Sequence, residues 1–266
     1  MGYDITYHPI SEHEIQEWYF EPLNDPSKID KICSHLNVHE VYREKFKKII
    51  LEAQTTSTND FFDKTHGYYI AIVQGFIRTF YYTRGSAFSF LIKKEPQFNS
   101  YINQWEKILL TPVKNPIKNK ISENYSSGIY IPAGQVVRIL SDYYINEKVK
   151  TKLDEFYSHG RISVFLNALE FCRENNLGLL EATEVIVPHP IDLNKSICYS
   201  NLFNCDKQGA LLYREAALEQ IKDMELANNL QNGEVLKSYE IVKTEVGEAQ
   251  MNVKKGLWSK LFSKRK

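Results

Sequence analysis

The sequence predicts an α-rich protein of the α+β class, with a few short strands scattered among helices. Over most of its 266 residues, apolar side chains recur at intervals of three and four, the period of amphipathic helices. Only short stretches alternate apolar and polar side chains as strands do. Because 43% of the residues are hydrophobic and 25% are charged, the body of the chain is expected to bury its own core.

The first strand and the first helix share the best-specified boundary in the chain. Apolar and polar side chains alternate over residues 3–8, which predicts a half-buried strand that ends at Pro9. Ser11 and Glu14 have the spacing of a capping box, in which each side chain bonds the other residue's backbone N–H. A helix is therefore expected to begin there and to run to about Phe20.

The same periodicity predicts further helices in the first half of the chain. Helices are expected after Pro26 and from about His39. Residues 67–82 carry apolar side chains on nearly all sides, which predicts one long buried helix. Another amphipathic helix is expected after Pro96. Residues 111–124, with two prolines and several lysines, are the candidate for a seam inside a single globular domain that covers residues 1–250.

The second half predicts one short strand, three helices and a strand that leads into a loop. Residues 129–131 form the first of these strands, and the third helix is expected to end near Asn176 and Gly178 with a left-handed cap. A second strand is expected over residues 183–187. Asp206 is placed to cap the last large helix.

Charge distinguishes a globular body from a basic tail, residues 251–266. Six of the 33 basic residues lie in this tail, which has no acid, so the body has 27 basic and 33 acidic residues and a net charge of −6. Neutralising phosphates requires a basic face, so we expect no nucleic-acid partner. The four cysteines have no metal-binding or redox spacing, and no apolar leader or membrane-spanning segment is present, which predicts a cytoplasmic protein.

Residues 178–206 contain the densest set of groups able to do chemistry. Pro188 and Pro190 flank His189 and keep this backbone extended rather than helical. The polar and reactive side chains of the loop are Glu181, Glu184, His189, Asp192, Cys198, Tyr199, Cys205 and Asp206. The residues predicted to bind a partner are Glu184, His189, Asp192 and Tyr199.

One hypothesis is a cytosolic partner-binding protein that needs no cofactor. The sequence lacks the phosphate-binding, dinucleotide, zinc-protease, serine-hydrolase and EF-hand signatures. An acidic, aromatic-rich body is suited to docking a protein with a basic surface, as an adaptor or an immunity protein does. Bacterial immunity proteins against toxins have this general size and charge.

The alternative hypothesis is a metal-dependent hydrolase with its site in the same loop. Carboxylate and imidazole side chains are suitable ligands for divalent metals. The predicted ligands are Glu184, His189 and Asp192. A strand over residues 183–187 would place Glu181 and Glu184 on opposite faces, since they are an odd number of residues apart. In the simpler interpretation, Glu184 pairs with an arginine such as Arg173 or Arg214.

The tail is predicted to be an amphipathic membrane anchor. At helical spacing, its apolar side chains would lie along one side with basic residues around them. The residues predicted to contact lipid are Leu257, Trp258, Lys260, Leu261, Phe262, Lys264 and Arg265. The run NVKKGLWSKLFSKRK resembles the short basic tails by which bacterial division-site ATPases and actin-like division tethers hold the inner membrane. This resemblance implies peripheral attachment to an anionic membrane surface; the alternative is a solvated run of charges.

Overall fold

The computed structural model describes residues 3–110 and 113–237, and it confirms the α-rich α+β class. The chain divides into two compact units, residues 2–213 and residues 214–266 together with Met1. The candidate seam at 111–124 falls within the first of these units. The basic tail, residues 251–266, and with it the predicted membrane anchor, lies outside the described residues.

A four-stranded antiparallel sheet is at the centre of the first unit. Its strands are β1 (Asp4–Ile10), β2 (Tyr81–Arg84), β3 (Ser127–Ile131) and β4 (Gly178–Thr183), in the order β2, β1, β4, β3. A separate antiparallel pair consists of β5 (Ile186–Val187) and β6 (Ile197–Cys198). In the central sheet, Tyr7 lies opposite Tyr81 on one side and Glu181 on the other. The strands predicted at residues 3–9 and 129–131 are confirmed.

Helices account for most of the remaining described chain. They are α1 (Glu12–Ile15), α2 (Glu21–Asn24), α3 (Lys28–His35), α4 (Glu40–Gln54), α5 (His66–Ile77), α6 (Phe88–Lys94), α7 (Trp105–Ile108), α8 (Ala133–Ile145), α9 (Glu147–Phe156), α10 (Arg161–Glu174) and α11 (Gln208–Ala227). A π-helical segment, Gln16–Phe20, joins α1 to α2. The capping box is confirmed, because the Ser11 hydroxyl accepts from the N–H of Glu14 and the Glu14 carboxylate accepts from the N–H of Ser11.

Helices cover both faces of the sheet. Ile5 and Tyr7 pack in one apolar cluster with α6, α8 and α10, whereas Ile10 and Leu180 pack in a second cluster with α3, α4 and α5. All seven residues of β1 are therefore buried, and the prediction of a half-buried strand was wrong. Its polar side chains find partners inside the protein, as when the Nδ1 of His8 lies 2.7 Å from the Oε1 of Gln74.

Two predicted helices are shorter than their periodicity suggested. The buried helix α5 ends at Ile77, and Tyr81 and Tyr82 belong to β2. Phe80 and Tyr82 pack against Ile186. The helix expected after Pro96 is a 3-10 segment, Pro96–Tyr101, followed by the single turn of α7. In both places the apolar spacing is helical, but pairing and packing with distant segments decide the backbone.

The loop after α10 contains the left-handed cap that the sequence predicts near Asn176 and Gly178. The left-handed residue is Asn176, with φ of 53°, and Gly178 begins β4. A Cβ on Gly178 would lie 2.2 Å from the Tyr130 hydroxyl, so the close approach of that side chain requires glycine there. A continuous strand over 183–187 is also wrong, because Glu184 has φ of 56° and interrupts it between β4 and β5.

The unit formed by residues 214–266 contains the end of α11. There the Glu225 carboxylate accepts from the N–H groups of Gly233 and Val235, both at 3.0 Å, which ties the following turn to the helix. Within the part of the chain that is described, no helix combines the length and apolar composition needed to cross a bilayer.

Candidate functional site

The structure separates the predicted site loop into a buried part and an exposed part. Glu181 lies in β4 with its side chain fully buried, whereas Glu184 follows the strand and is half-buried. Tyr199, just beyond β6, is 50% exposed. Although the two glutamates are close in sequence, they have different surroundings and need separate accounts.

Glu181 is held by the start of α6. Its Oε2 accepts from the N–H of Phe88 at 2.5 Å, and its Oε1 accepts from the N–H and the hydroxyl of Ser89 at 3.2 and 2.6 Å. Burial raises the pKa of this carboxyl to about 7, although the donated bonds act in the opposite direction. Gly128 lies beside it, where a Cβ would be 2.6 Å from the Glu181 Cγ. Glu181 therefore caps α6.

Two tyrosines complete the same buried layer. The Tyr7 hydroxyl donates to the Ser86 carbonyl at 2.9 Å and lies 2.7 Å from the Tyr157 hydroxyl. Burial raises the pKa of both phenols well above the usual range. We call Tyr7, Ser86, Ser89, Tyr157 and Glu181 the buried polar cluster. Its polar atoms satisfy one another away from solvent, so we assign it to stability rather than to ligand binding.

Glu184 begins a different arrangement at the end of β4. Its N–H donates to the Asp4 carbonyl at 2.9 Å. Its carboxylate pairs with the Nζ of Lys64 at 3.0 Å, a lysine where the sequence suggested an arginine. The same Nζ lies 4.4 Å from the ring centre of Tyr68 and 5.9 Å from that of Tyr125. The Lys64 ammonium is thus surrounded by one carboxylate and two aromatic rings.

Further aromatic rings extend this arrangement to the surface. Tyr125 contacts Tyr3, Phe61 and Phe62 at centroid distances of 5.3, 6.2 and 5.5 Å. Tyr68 contacts Tyr199 at 6.3 Å. We call Tyr3, Phe61, Phe62, Lys64, Tyr125, Glu184 and Tyr199 the aromatic patch. Its outer rings are open to solvent, with Phe62 66%, Phe61 40% and Tyr3 36% exposed.

Backbone hydrogen bonds hold the segment that presents Phe61 and Phe62. The N–H of Tyr125 donates to the Phe61 carbonyl at 2.8 Å, and the Ser126 hydroxyl donates to the Asp63 carbonyl at 3.1 Å. Within the turn, the Asp60 carboxylate accepts from the N–H of Phe62 at 2.9 Å, and the Asp63 carboxylate accepts from the N–H of Asp60 at 2.9 Å. The two rings are therefore displayed on a turn with a defined backbone.

His189 and Asp192 form a turn of their own. The Nδ1 of His189 accepts from the N–H groups of Ile191 and Asp192 at 3.3 and 3.0 Å. Asp192 pairs with Lys195 at 2.7 Å, and the hydrogen bond from Lys195 lowers the pKa of Asp192. Of the four residues predicted to bind a partner, the structure brings Glu184 and Tyr199 together, through Lys64 and Tyr68. The contacts described for the other two are local.

The metal alternative receives no ligand set from this geometry. Over the described ranges, no group of three or more His, Cys, Asp or Glu side chains is placed to hold a metal ion. The carboxylates of Glu184 and Asp192 are each paired with a lysine. The site predicted from Glu184, His189 and Asp192 therefore stays a prediction from the sequence.

Sequence reasoning missed most of the aromatic patch. Lys64, Tyr68 and Tyr125 lie far from residues 178–206 in the chain and meet them only in the fold. One signal was available: Phe61 and Phe62 stand inside the polar run TNDFFDK without any helix or strand periodicity. Because no helix or strand periodicity assigns this apolar pair to a buried face, it is a candidate for an exposed position.

A shallow pocket elsewhere is lined by none of the patch residues. Its walls are Ser11, Glu12, His13, Tyr130, Ala133 and Gly178. Ser11 is already engaged in the capping box, and the Tyr130 hydroxyl donates to the Ile10 carbonyl. The aromatic patch is therefore the better candidate for a site.

Comparison of the chain with protein-family models, with curated proteins and with solved structures finds no match.

Proposed function

We propose that the protein binds another protein through the aromatic patch, as an adaptor or an immunity protein would. The observation that carries this proposal is the set of exposed aromatic rings joined around the Lys64–Glu184 pair. Tyrosine and other large aromatic residues are enriched at protein interfaces and among the residues that dominate binding energy. Exposed apolar groups that are contiguous, rather than scattered, typically mark an interaction surface.

The way the patch is built favours binding over a packing defect. Phe61 and Phe62 are carried by a turn whose backbone is held by hydrogen bonds within the turn and by hydrogen bonds to Tyr125 and Ser126. Because the turn is already ordered, a partner would not need to fix it on binding, and the entropic cost of association is lower. The polar rim of Asp60, Asp63 and Glu184 is suited to a surface that is solvated until a partner covers it.

The test replaces exposed rings and measures capture of a partner. Full-length protein carrying the photocrosslinker p-benzoylphenylalanine at Phe62 is irradiated in extract of its own cells, with Val137, which is 50% exposed on α8, as the control position. We expect a discrete crosslinked protein from Phe62 and not from Val137. The double variant Phe62→Ser and Tyr199→Ser should reduce its non-covalent recovery at least tenfold. Equal recovery by this variant and by wild type would contradict the proposal.

The basic tail is proposed to hold the protein at an anionic membrane surface. Attraction to anionic lipid contributes about 1 kcal/mol per basic residue, and burial of apolar side chains such as Trp258 adds to it. Ordering the tail offsets part of this energy, so weak, salt-sensitive binding is expected.

Co-flotation with phosphatidylglycerol vesicles tests the anchor. Binding should be lost on Trp258→Glu and in high salt. The matched change Phe203→Glu, at a body residue that is 90% exposed, should leave flotation unchanged. A wild-type protein that stays with the aqueous fraction at low salt would show that the tail is only a solvated run of charges.

A further inference from the structure

We infer that the aromatic patch takes a basic segment of a partner protein, with an arginine or lysine side chain set against its exposed rings. This inference rests on the proposed function and names the chemistry of the partner. It is carried by the charges around the patch and by the cation that the patch already holds.

Two carboxylates at the patch, those of Asp60 and Asp63, have no salt bridge among the described residues. Lys64 is paired with Glu184 at 3.0 Å. Asp60 and Asp63 flank the exposed pair Phe61 and Phe62, and the contacts described for their carboxylates are with backbone N–H groups of the same turn. A hydrogen bond from an amide leaves the carboxylate charged. The exposed rings therefore stand beside two negative charges that no described salt bridge offsets.

The tyrosines beneath the exposed rings lie near further carboxylates. Burial is the main cause that raises the pKa of Tyr125, and Glu184 and Asp4 raise it further. For Tyr68, burial is again the main cause, followed by the neighbouring Tyr199 and Tyr69 and then by Glu184 and Glu52. Glu184 therefore adds negative charge close to both phenols.

Lys64 shows what kind of group these rings accept. Its ammonium lies over Tyr68 and beside Tyr125, with Glu184 as the counter-ion. Ring faces attract cations because the face of an aromatic ring is negative. Phe62 and Tyr199 are also aromatic rings, and they are more exposed to solvent than Tyr68. Asp60 and Asp63 can supply the counter-charge for a cation bound there. A partner's cation would extend the arrangement outward.

The charges at the patch also favour a basic protein segment over two other occupants, a second copy of this chain and an anionic bilayer. In a symmetric dimer the patch would face its own copy, which would place Asp60 and Asp63 of one copy near the same acids of the other. An anionic bilayer would meet the same repulsion beside Phe61 and Phe62. A basic protein segment is attracted by the charges that repel both alternatives, and electrostatic attraction also speeds its encounter with the patch.

The experiment uses two synthetic peptides of twelve residues and the full-length protein. The peptides share the same Trp, Leu and Ser positions, and they differ in carrying four Arg or four Glu. Fluorescence anisotropy at 50 mM NaCl should give an at least tenfold lower Kd for the Arg peptide. Its Kd should rise at least threefold in 200 mM NaCl. Equal affinity for the two peptides would overturn the inference.

Matched variants locate the charge. Asp60→Asn with Asp63→Asn retains an oxygen that can accept the same backbone bonds but removes both charges, and should weaken the Arg peptide at least fivefold. Asp25→Asn is the control, because the Asp25 carboxylate likewise accepts from a backbone N–H two residues on, at an exposed position just before α3. An equal effect of the control would show general attraction to an acidic protein and overturn the inference.

The ring variants separate this inference from the proposed function. If Phe62→Ser with Tyr199→Ser abolishes capture of the crosslinked partner while the two peptides bind equally, the binding function stands and only the basic partner fails. If these ring changes leave binding of the Arg peptide unchanged, the patch is not its site and the inference fails. A tenfold gain in affinity for the Arg peptide on deleting residues 253–266 would show that the patch binds the tail of its own chain. Self-association that requires Phe62 would show that it binds a second copy. Either result would overturn the inference of a foreign partner.

Discussion

Two clusters of tyrosine and glutamate have different roles, one with its glutamate in β4 and the other with its glutamate just after β4. In the buried polar cluster, Glu181 accepts three hydrogen bonds at the start of α6, close to Tyr7 and Tyr157. In the aromatic patch, Glu184 pairs with Lys64 among rings that reach solvent. The residue types are nearly the same, but the first cluster satisfies itself and the second leaves ring faces and charges open.

The role of each carboxylate therefore depends on its position relative to the helical layers, not on the residue type. A carboxylate enclosed between sheet and helices must be satisfied by the fold, because leaving its partners unpaired is costly. A carboxylate at the end of the strand is half-exposed, and an exposed ion pair contributes little to stability. Changes in the first cluster should therefore act on folding, and changes in the second on binding.

The largest expected effect is from Glu181→Ala. It leaves the N–H groups of Phe88 and Ser89 without their acceptor and opens a cavity in the core, which should cost about 4 kcal/mol of unfolding free energy. Urea denaturation measures it, with Glu184→Ala as the matched change. We expect less than about 1 kcal/mol for Glu184→Ala because its ion pair is half-exposed. Similar losses for both variants would contradict different roles for Glu181 and Glu184.

The pH dependence of stability should also distinguish the buried carboxyl. The pKa of Glu181 is about 7 in the folded protein, against a usual value of 4.5, so the folded state binds more protons between these values. Its stabilising contribution is therefore complete below pH 4.5 and is lost as the pH rises through 7, by about 2 kcal/mol between pH 5 and 7.5. Glu181→Gln should lack this slope.

Two buried histidines give the stability a pH dependence of the opposite sign, so the slope due to Glu181 is the difference between wild type and Glu181→Gln. Burial lowers the pKa of His8 to about 3 and that of His66 to about 4. Their contribution is lost as the pH falls below the usual value of 6.5, in wild type and variant alike. A wild-type curve parallel to that of Glu181→Gln between pH 5 and 7.5 would show that the carboxyl does not titrate there.

Removing one hydroxyl from each cluster should have a smaller effect. Tyr157→Phe leaves the Tyr7 hydroxyl without one of its two buried partners, and should lower the unfolding free energy by about 1 kcal/mol. Tyr125→Phe keeps the ring contacts at the half-buried patch and should change it by less than about 0.5 kcal/mol. Thermal denaturation of both variants checks the difference, and a reversed order would contradict it.

The smallest effect on stability is expected from Phe62→Ser. A ring that is 66% exposed contributes little to the core, so the unfolding free energy should change by no more than about 0.5 kcal/mol. A loss of partner binding by this variant would then occur in a fully folded protein. A loss of several kcal/mol would assign Phe62 to folding instead.

The candidate site was only partly predictable, and the reason is the distance along the chain over which it is assembled. Glu184 and Tyr199 were found because they lie in one chemically dense loop. Lys64 and Tyr125 come from two other segments, which the sheet brings beside that loop. A sequence pattern that spans only a few residues cannot predict contacts between segments so distant in the chain. Glu181, in contrast, was visible in the sequence, but its role depended on which face of β4 the helices enclose.

The α+β class, strands at 3–9 and 129–131, and the capping box at Ser11 and Glu14 were predictable from the sequence. These features depend on side-chain spacing and on bonds between residues three or four apart, which the chain carries locally. Three other features depend on the assembled fold: β1 is buried on both faces, α5 ends at Ile77, and Glu184 interrupts the predicted strand. Those outcomes depend on pairing and packing between segments distant in the chain, whose energies exceed local preference.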